Sequence, residues 1–262
     1  MKRYRFRKDQ MRKGIYVLPN LFTTASLFSG FYSIIASMKG LYEIAAWTIL
    51  LAIIFDGLDG RIARMTRTTS KFGAEYDSLA DLVAFGVAPA ILSYHWALMS
   101  FEKWGWLAAF LFVTCGALRL ARFNVQTAII DSRVFNGLAI PAGASVMATA
   151  VLLYFKLGGE GQFHNLSVLI GKIIVAMLMV SSIKYYSFKD LNFFARKPFT
   201  SFVLIVVILI IVIAETQIMI FTFSFGYALS GPVWLFYKLS RRKRIGQEKH
   251  AHHQEETGLM EK

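Results

Sequence analysis

Apolar runs that approach the roughly 20 residues needed to cross a bilayer recur through most of this chain, from about residue 19 to about residue 238. That recurrence restricts the fold to an all-α, polytopic bundle of membrane helices. The composition agrees, since 56% of the 262 residues are hydrophobic and the mean hydropathy is +0.50. Eight spans are predicted, at roughly 19–38, 41–65, 73–99, 104–123, 137–156, 165–185, 199–214 and 217–238. No cleavable signal peptide is expected, because the first apolar run is long enough to stay as a helix. The single cysteine, Cys115, excludes an internal disulfide framework and any multi-cysteine zinc site.

The net charge of +13 is unevenly placed. Lys2, Arg3, Arg5, Arg7, Lys8, Arg12 and Lys13 crowd the start, and Arg61, Arg64, Arg67 and Lys71 fill the second connection. Arg119, Arg122 and Arg133 mark the fourth, Lys184, Lys189, Arg196 and Lys197 the sixth, and Arg241 to Arg244 the tail. The odd connections hold only Lys39, then Glu102 with Lys103, Lys156 with Glu160, and Glu215. Positive charge favours the cytoplasmic side of a membrane, so both termini are expected there. The charge therefore points to topology and anionic headgroups, and no nucleic-acid partner is expected. Four regions follow: a basic segment over 1–18, a first set of helices over 19–156, further spans over 157–239, and a polar tail over 240–262 expected to lack fixed structure. His250, His252 and His253 in that tail are read as solvated.

Against this apolar background stand four aspartates, in Asp56-Gly-Leu-Asp59-Gly60-Arg-Ile-Ala63-Arg64 and Gly73-Ala-Glu-Tyr-Asp77-Ser-Leu-Ala-Asp81. Carboxylates at membrane depth are costly and normally serve a purpose. Asp56 and Asp59 are three apart, and Asp77 and Asp81 are four apart, so each pair shares a helix face. A turn near Thr68 brings Asp59 opposite Asp77, with Asp56 and Asp81 as the next layer. Converging carboxylates need cations between them, and one or two hard divalent ions fit oxygen ligands. Gly57, Gly60, Ala63, Ala74, Ala80 and Ala84 strip the two faces of bulk, leaving room for a ligand. Divalent ions, the nearby Arg64 and open backbone suit a pyrophosphate. Phosphoryl chemistry, ion transport and structural ion binding all remain open from these residues alone. A transport path is disfavoured because the cluster sits near one face and no repeated halves are visible.

The two segments together match D-x2-D-G-x2-A-R-x8-9-G-x3-D-x3-D at every fixed position. On that run the chain resembles the CDP-alcohol phosphotransferases, which move a phosphatidyl or phospho-alcohol group from a CDP-linked donor to an alcohol. The resemblance implies that Asp56, Asp59 and Asp77 hold metal ions, that Asp81 completes the second metal site and acts as general base, and that Gly60, Ala63, Arg64 and Gly73 line a CDP pocket. Two ions, magnesium or manganese, and a homodimer are further implications. An alcohol is a weak nucleophile at neutral pH, which gives a positioned carboxylate its task.

Two more segments bear on the acceptor. Arg119-Leu-Ala-Arg122-Phe-Asn124 and Phe135-Asn-Gly137-Leu-Ala139-Ile-Pro141 resemble stretches of the membrane-integral phosphatidylserine synthases within that family, as does Leu18-Pro19-Asn20-Leu-Phe-Thr23. Ala139 replaces a usual proline and Ser26 a frequent asparagine. The resemblance implies CDP-diacylglycerol and L-serine as substrates, and the loop charges put the aspartates at the cytoplasmic face of the cell membrane. A serine carboxylate calls for a guanidinium. Arg119 or Arg122 is expected to bind it, the other to bind a phosphate, and Asn124 to add a polar contact; the alternative is that both arginines only mark a helix end. Glycerol 3-phosphate as acceptor, an archaeal-type isoprenoid donor, and a cation transporter are the competing readings.

Overall fold

The computed structural model describes residues 2–66, 70–127, 135–185 and 214–260. Within these stretches the chain is helical apart from short connections and one two-residue strand pair that the sequence did not announce. Helix α1 is Lys2–Met38, α2 is Tyr42–Thr66 and α3 is Lys71–Asp81. A π-helical turn, Leu82–Val87, carries α3 into α4, Ala88–Ser93, and a second π turn, Tyr94–Leu98, follows. The chain reverses at Glu102, whose φ is 45°, and returns as α5, Glu102–Thr127. Next come α6, Ile140–Lys156, and α7, Leu166–Val180. Helix α8 runs over Thr216–Met260, so the polar tail continues the helix to Met260 where the sequence leads one to expect no fixed structure. The span expected at 199–214 and the turn at Thr68 fall, but for the last residue of the former, outside the described residues.

Among the described residues, Leu18–Met38, Lys71–Val125 and Thr216–Lys238 are long and apolar enough to cross a membrane, while Ile140–Lys156 and Leu166–Val180 are shorter apolar helices. The second of these stretches contains the reversal at Glu102, so its two arms lie back to back. With lipid outside, association has to come from small residues and polar contacts. Helix α1 shows how. Ser26 and Ser33 donate to the carbonyls of Ala52 and Ala45 on α2, at 3.1 and 2.8 Å. Between these two serines, Gly30 meets Ala84 so closely that a Cβ there would lie 2.5 Å from the Ala84 Cα. The core between these helices is small and apolar, with Ala45, Ala46, Ile49, Ala52, Ala84, Phe85 and Ala88 all fully buried.

The odd connections gather at one end of the bundle. Tyr42 donates to the carbonyl of His95 at 3.1 Å, the Phe163 amide donates to the carbonyl of Trp96 at 2.8 Å, and Lys156 pairs with Glu215 at 3.3 Å. The C-terminal end of α2 and the start of α3, which carry the aspartates, lie at the other end.

One cation is enclosed in this bundle. Lys172 on α7 is fully buried; its Nζ donates to the carbonyls of Pro89 and Ala90 and to the Ser93 hydroxyl, and stands 4.8 Å above the Phe112 ring. It fastens α7 to the segment between the two π turns.

Candidate active site

The site is assembled by three helices. Ser70 caps α3, its hydroxyl accepting from the Gly73 amide at 2.9 Å, and this fixes where Asp77 and Asp81 begin their turns. Thr23 of α1 donates to Asp59 Oδ2 at 2.8 Å and also to the Pro19 carbonyl at 3.2 Å, holding the buried Asp59 carboxyl in one orientation. Thr24 and Tyr76 share a 2.9 Å hydrogen bond that ties α1 to α3.

The four aspartates converge as their spacing predicts. One carboxylate oxygen from each of Asp56, Asp59 and Asp77 lies within 4.8 Å of the other two. Asp81 is within hydrogen-bonding reach of Asp56 and within electrostatic range of Asp77 and Asp59. The donor set is all oxygen, which suits a hard divalent ion. One observation tests the fit further: Asp77 Oδ1 is buried and has no hydrogen-bond partner among the described residues. A bound cation would satisfy a buried carboxylate oxygen of that kind.

These carboxyls open into a cavity of about 1040 Å³. Gly60, Ala63, Arg64 and Gly73 line it, as does Arg119. Arg64 folds back along α2, its Nε donating to the Gly60 carbonyl at 2.9 Å. Arg119 lies within electrostatic range of Asp81, and its buried Nε has no hydrogen-bond partner among the described residues. Two residues predicted beside it are placed elsewhere. Arg122 is exposed and reaches the Val180 carbonyl at 3.4 Å, and the Asn124 amide donates to Ser78 at 3.0 Å, bracing α3 from behind. Arg119 and Arg122 are three apart on one helix, about 60° off true alignment on a 3.6-residue turn, which is enough to leave one inside and one outside.

The far wall is built by the strand pair. Phe135–Asn136 (β1) runs antiparallel to Lys184–Tyr185 (β2), with Phe135 opposite Tyr185. The Gly137 amide donates to the Ile183 carbonyl at 2.8 Å and the Leu138 amide to the Leu178 carbonyl at 3.0 Å. Gly137, Ala139, Ile140 and Pro141 then line the cavity. This segment, like Asn20 and Thr23, stands out in the sequence only as part of a motif, and the fold supplies its place on the wall. Ser70 and Tyr227, also on the wall, carried no signal; a lone serine before α3 and a lone tyrosine in an apolar helix look like many others.

Carboxylates gathered beside a guanidinium, at one end of an apolar helical bundle, fit one class well: membrane enzymes that act on phosphates. The family model for CDP-alcohol phosphatidyltransferases matches residues 16–183, and the chain belongs to that family. It is thus a transferase of phospholipid synthesis. A CDP-diacylglycerol–serine O-phosphatidyltransferase of Helicobacter pylori is 44% identical over 181 residues, covering 68% of this chain and 75% of that protein. An archaetidylserine synthase of Methanothermobacter thermautotrophicus is 39% identical over 179 residues, covering 68% and 72%. A CDP-diacylglycerol–serine O-phosphatidyltransferase of Methanocaldococcus jannaschii is 46% identical over 141 residues, covering 52% and 61%.

Proposed function

We propose that this chain transfers a phosphatidyl group from CDP-diacylglycerol to the hydroxyl of L-serine, giving phosphatidylserine and CMP. The observation that carries the reading is the cavity in which four aspartates and Arg119 face one another. The names of relatives at 44% identity support serine as the acceptor.

Asp56, Asp59 and Asp77, with Asp81 completing a second site, would hold magnesium or manganese. Such ions supply charge neutralisation for the pyrophosphate and for the leaving phosphate. Arg64 adds a guanidinium at the same wall and favours the donor's phosphates over water. Gly60, Ala63 and Gly73 keep that wall free of bulk, so the nucleotide can lie against the backbone. Asp81 takes the proton of the serine hydroxyl as its oxygen bonds to the phosphorus next to the diacylglycerol. The bond from that phosphorus to the bridging oxygen breaks, and CMP departs with the electron pair. The apolar stretches that flank the site suit a donor whose tails stay in the bilayer.

Positive charge at the same end as the aspartates supports a cytoplasmic active site with both termini inside. Eight spans, a homodimer and placement in the cell membrane complete the reading.

A second donor is favoured by one finding, the likeness to an archaetidylserine synthase. An isoprenoid CDP-lipid asks the same of the headgroup site, since none of the cavity groups named above reads a lipid tail. The test is CMP release by purified protein with serine, glycerol 3-phosphate, inositol or no acceptor, each with a diacyl and an isoprenoid CDP-lipid. Serine-dependent release supports the reading; release driven by glycerol 3-phosphate instead rejects it.

A further inference from the structure

Tyr227 lies beyond residue 183, where the family match ends, yet it lines the carboxylate cavity. It comes from α8, and α8 is held in place by the strand pair. The buried Tyr185 of β2 donates its hydroxyl to the Ala228 carbonyl at 3.0 Å. Its ring packs on Gly231, where a Cβ would run into it, and stands 5.6 Å from the Tyr227 ring. The residue next to Ala228 is thereby fixed against the cavity wall. Arg119 lines the same cavity, its guanidinium within electrostatic range of both Tyr227 and Asp81 and its Nε buried without a hydrogen-bond partner among the described residues.

We propose that Arg119 and Tyr227 together form the subsite for the carboxylate of the acceptor amino acid, which makes α8 part of the substrate site. The inference rests on the reading of serine as acceptor. In serine the hydroxyl and the carboxylate are joined through one methylene and the α-carbon. With the hydroxyl at Asp81, the carboxylate falls a short reach away, and its cation has to line the same cavity within electrostatic range of Asp81, as Arg119 does. The pairing also selects for charge. One guanidinium and one neutral phenol match a monoanion, whereas a phosphate dianion asks for a denser set of cations. The donor's phosphates would have theirs in Arg64, which lines the same cavity, and in the ions that Asp56, Asp59 and Asp77 would hold.

The experiment is steady-state kinetics of wild type and Tyr227→Phe with serine, with its carboxylate-free analogue serinol, and with CDP-diacylglycerol. Losing one hydrogen bond to a charged group raises KM for serine roughly ten- to a hundredfold. KM for serinol and for the donor stays unchanged. Phenylalanine keeps the ring against Tyr185, and KM does not depend on the fraction of folded protein. An unchanged KM for serine overturns the proposal. So does a raised donor KM with serine unaffected, which assigns Tyr227 to a phosphate. Wild-type protein that releases no CMP with serine sinks the underlying reading and this subsite with it; normal wild-type turnover with an unaffected variant sinks the subsite alone.

Discussion

The hydroxyl of Thr23 donates to Asp59 at 2.8 Å, although 36 residues separate them. A contact from outside the carboxylate hairpin thus orients its one buried aspartate. Groups that orient metal-binding carboxylates typically affect metal affinity or activity by about 10- to 100-fold when removed. Thr23→Val, which keeps the shape, is expected to raise the magnesium or manganese concentration for half-maximal activity by about that factor. A metal titration of CMP release checks it, with thermal unfolding as the control for folding.

Asp59→Asn and Asp77→Asn separate stability from activity. Crowded carboxylates repel in the absence of a cation, so either change should leave the metal-free protein at least as stable as wild type. Each should abolish most turnover. Divalent metal should raise the unfolding temperature of wild-type protein in detergent and do little for the variants. Chelation should remove both the activity and the stabilisation of wild type.

Lys172 predicts a structural effect away from the chemistry. Lys172→Ala leaves the carbonyls of Pro89 and Ala90 without their cation and opens space beside Phe112. Losses of about 2–4 kcal/mol are typical when buried polar contacts and packing go together. Denaturant unfolding in detergent measures it, and Lys172→Met, which keeps most of the volume, should lose less.

Gly30→Leu tests the α1 contact. A side chain there has to push Ala84 away, and overpacking of this kind costs about 1–3 kcal/mol or more. Because Ala84 follows Asp81 by one turn, the change should also lower CMP release beyond what unfolding accounts for.

Much of the site was legible because helical spacing is rigid. Three- and four-residue intervals put Asp56 with Asp59 and Asp77 with Asp81, and the hairpin did the rest. The helices themselves were legible from apolar runs, with α2 at Tyr42–Thr66 against an expected 41–65. What could not be read was local departure from regularity. The π turns at Leu82–Val87 and Tyr94–Leu98 leave no compositional mark, and the strand pair at Phe135 and Tyr185 depends on a partner 50 residues away. Arg122 and Asn124 shared a motif with Arg119 but not its rotation about the helix axis, so they face other groups. Tyr227 needed the three-dimensional return of α8.

The most direct measurement is serine-dependent formation of CMP and phosphatidylserine from CDP-diacylglycerol by purified wild type and Asp81→Asn, with a divalent metal present. Removal of a general base that also neighbours the metal site should cost at least about 10²- to 10⁴-fold in rate while the variant remains folded. Turnover by Asp81→Asn at the wild-type rate, or wild-type release of CMP that ignores serine, would contradict the account.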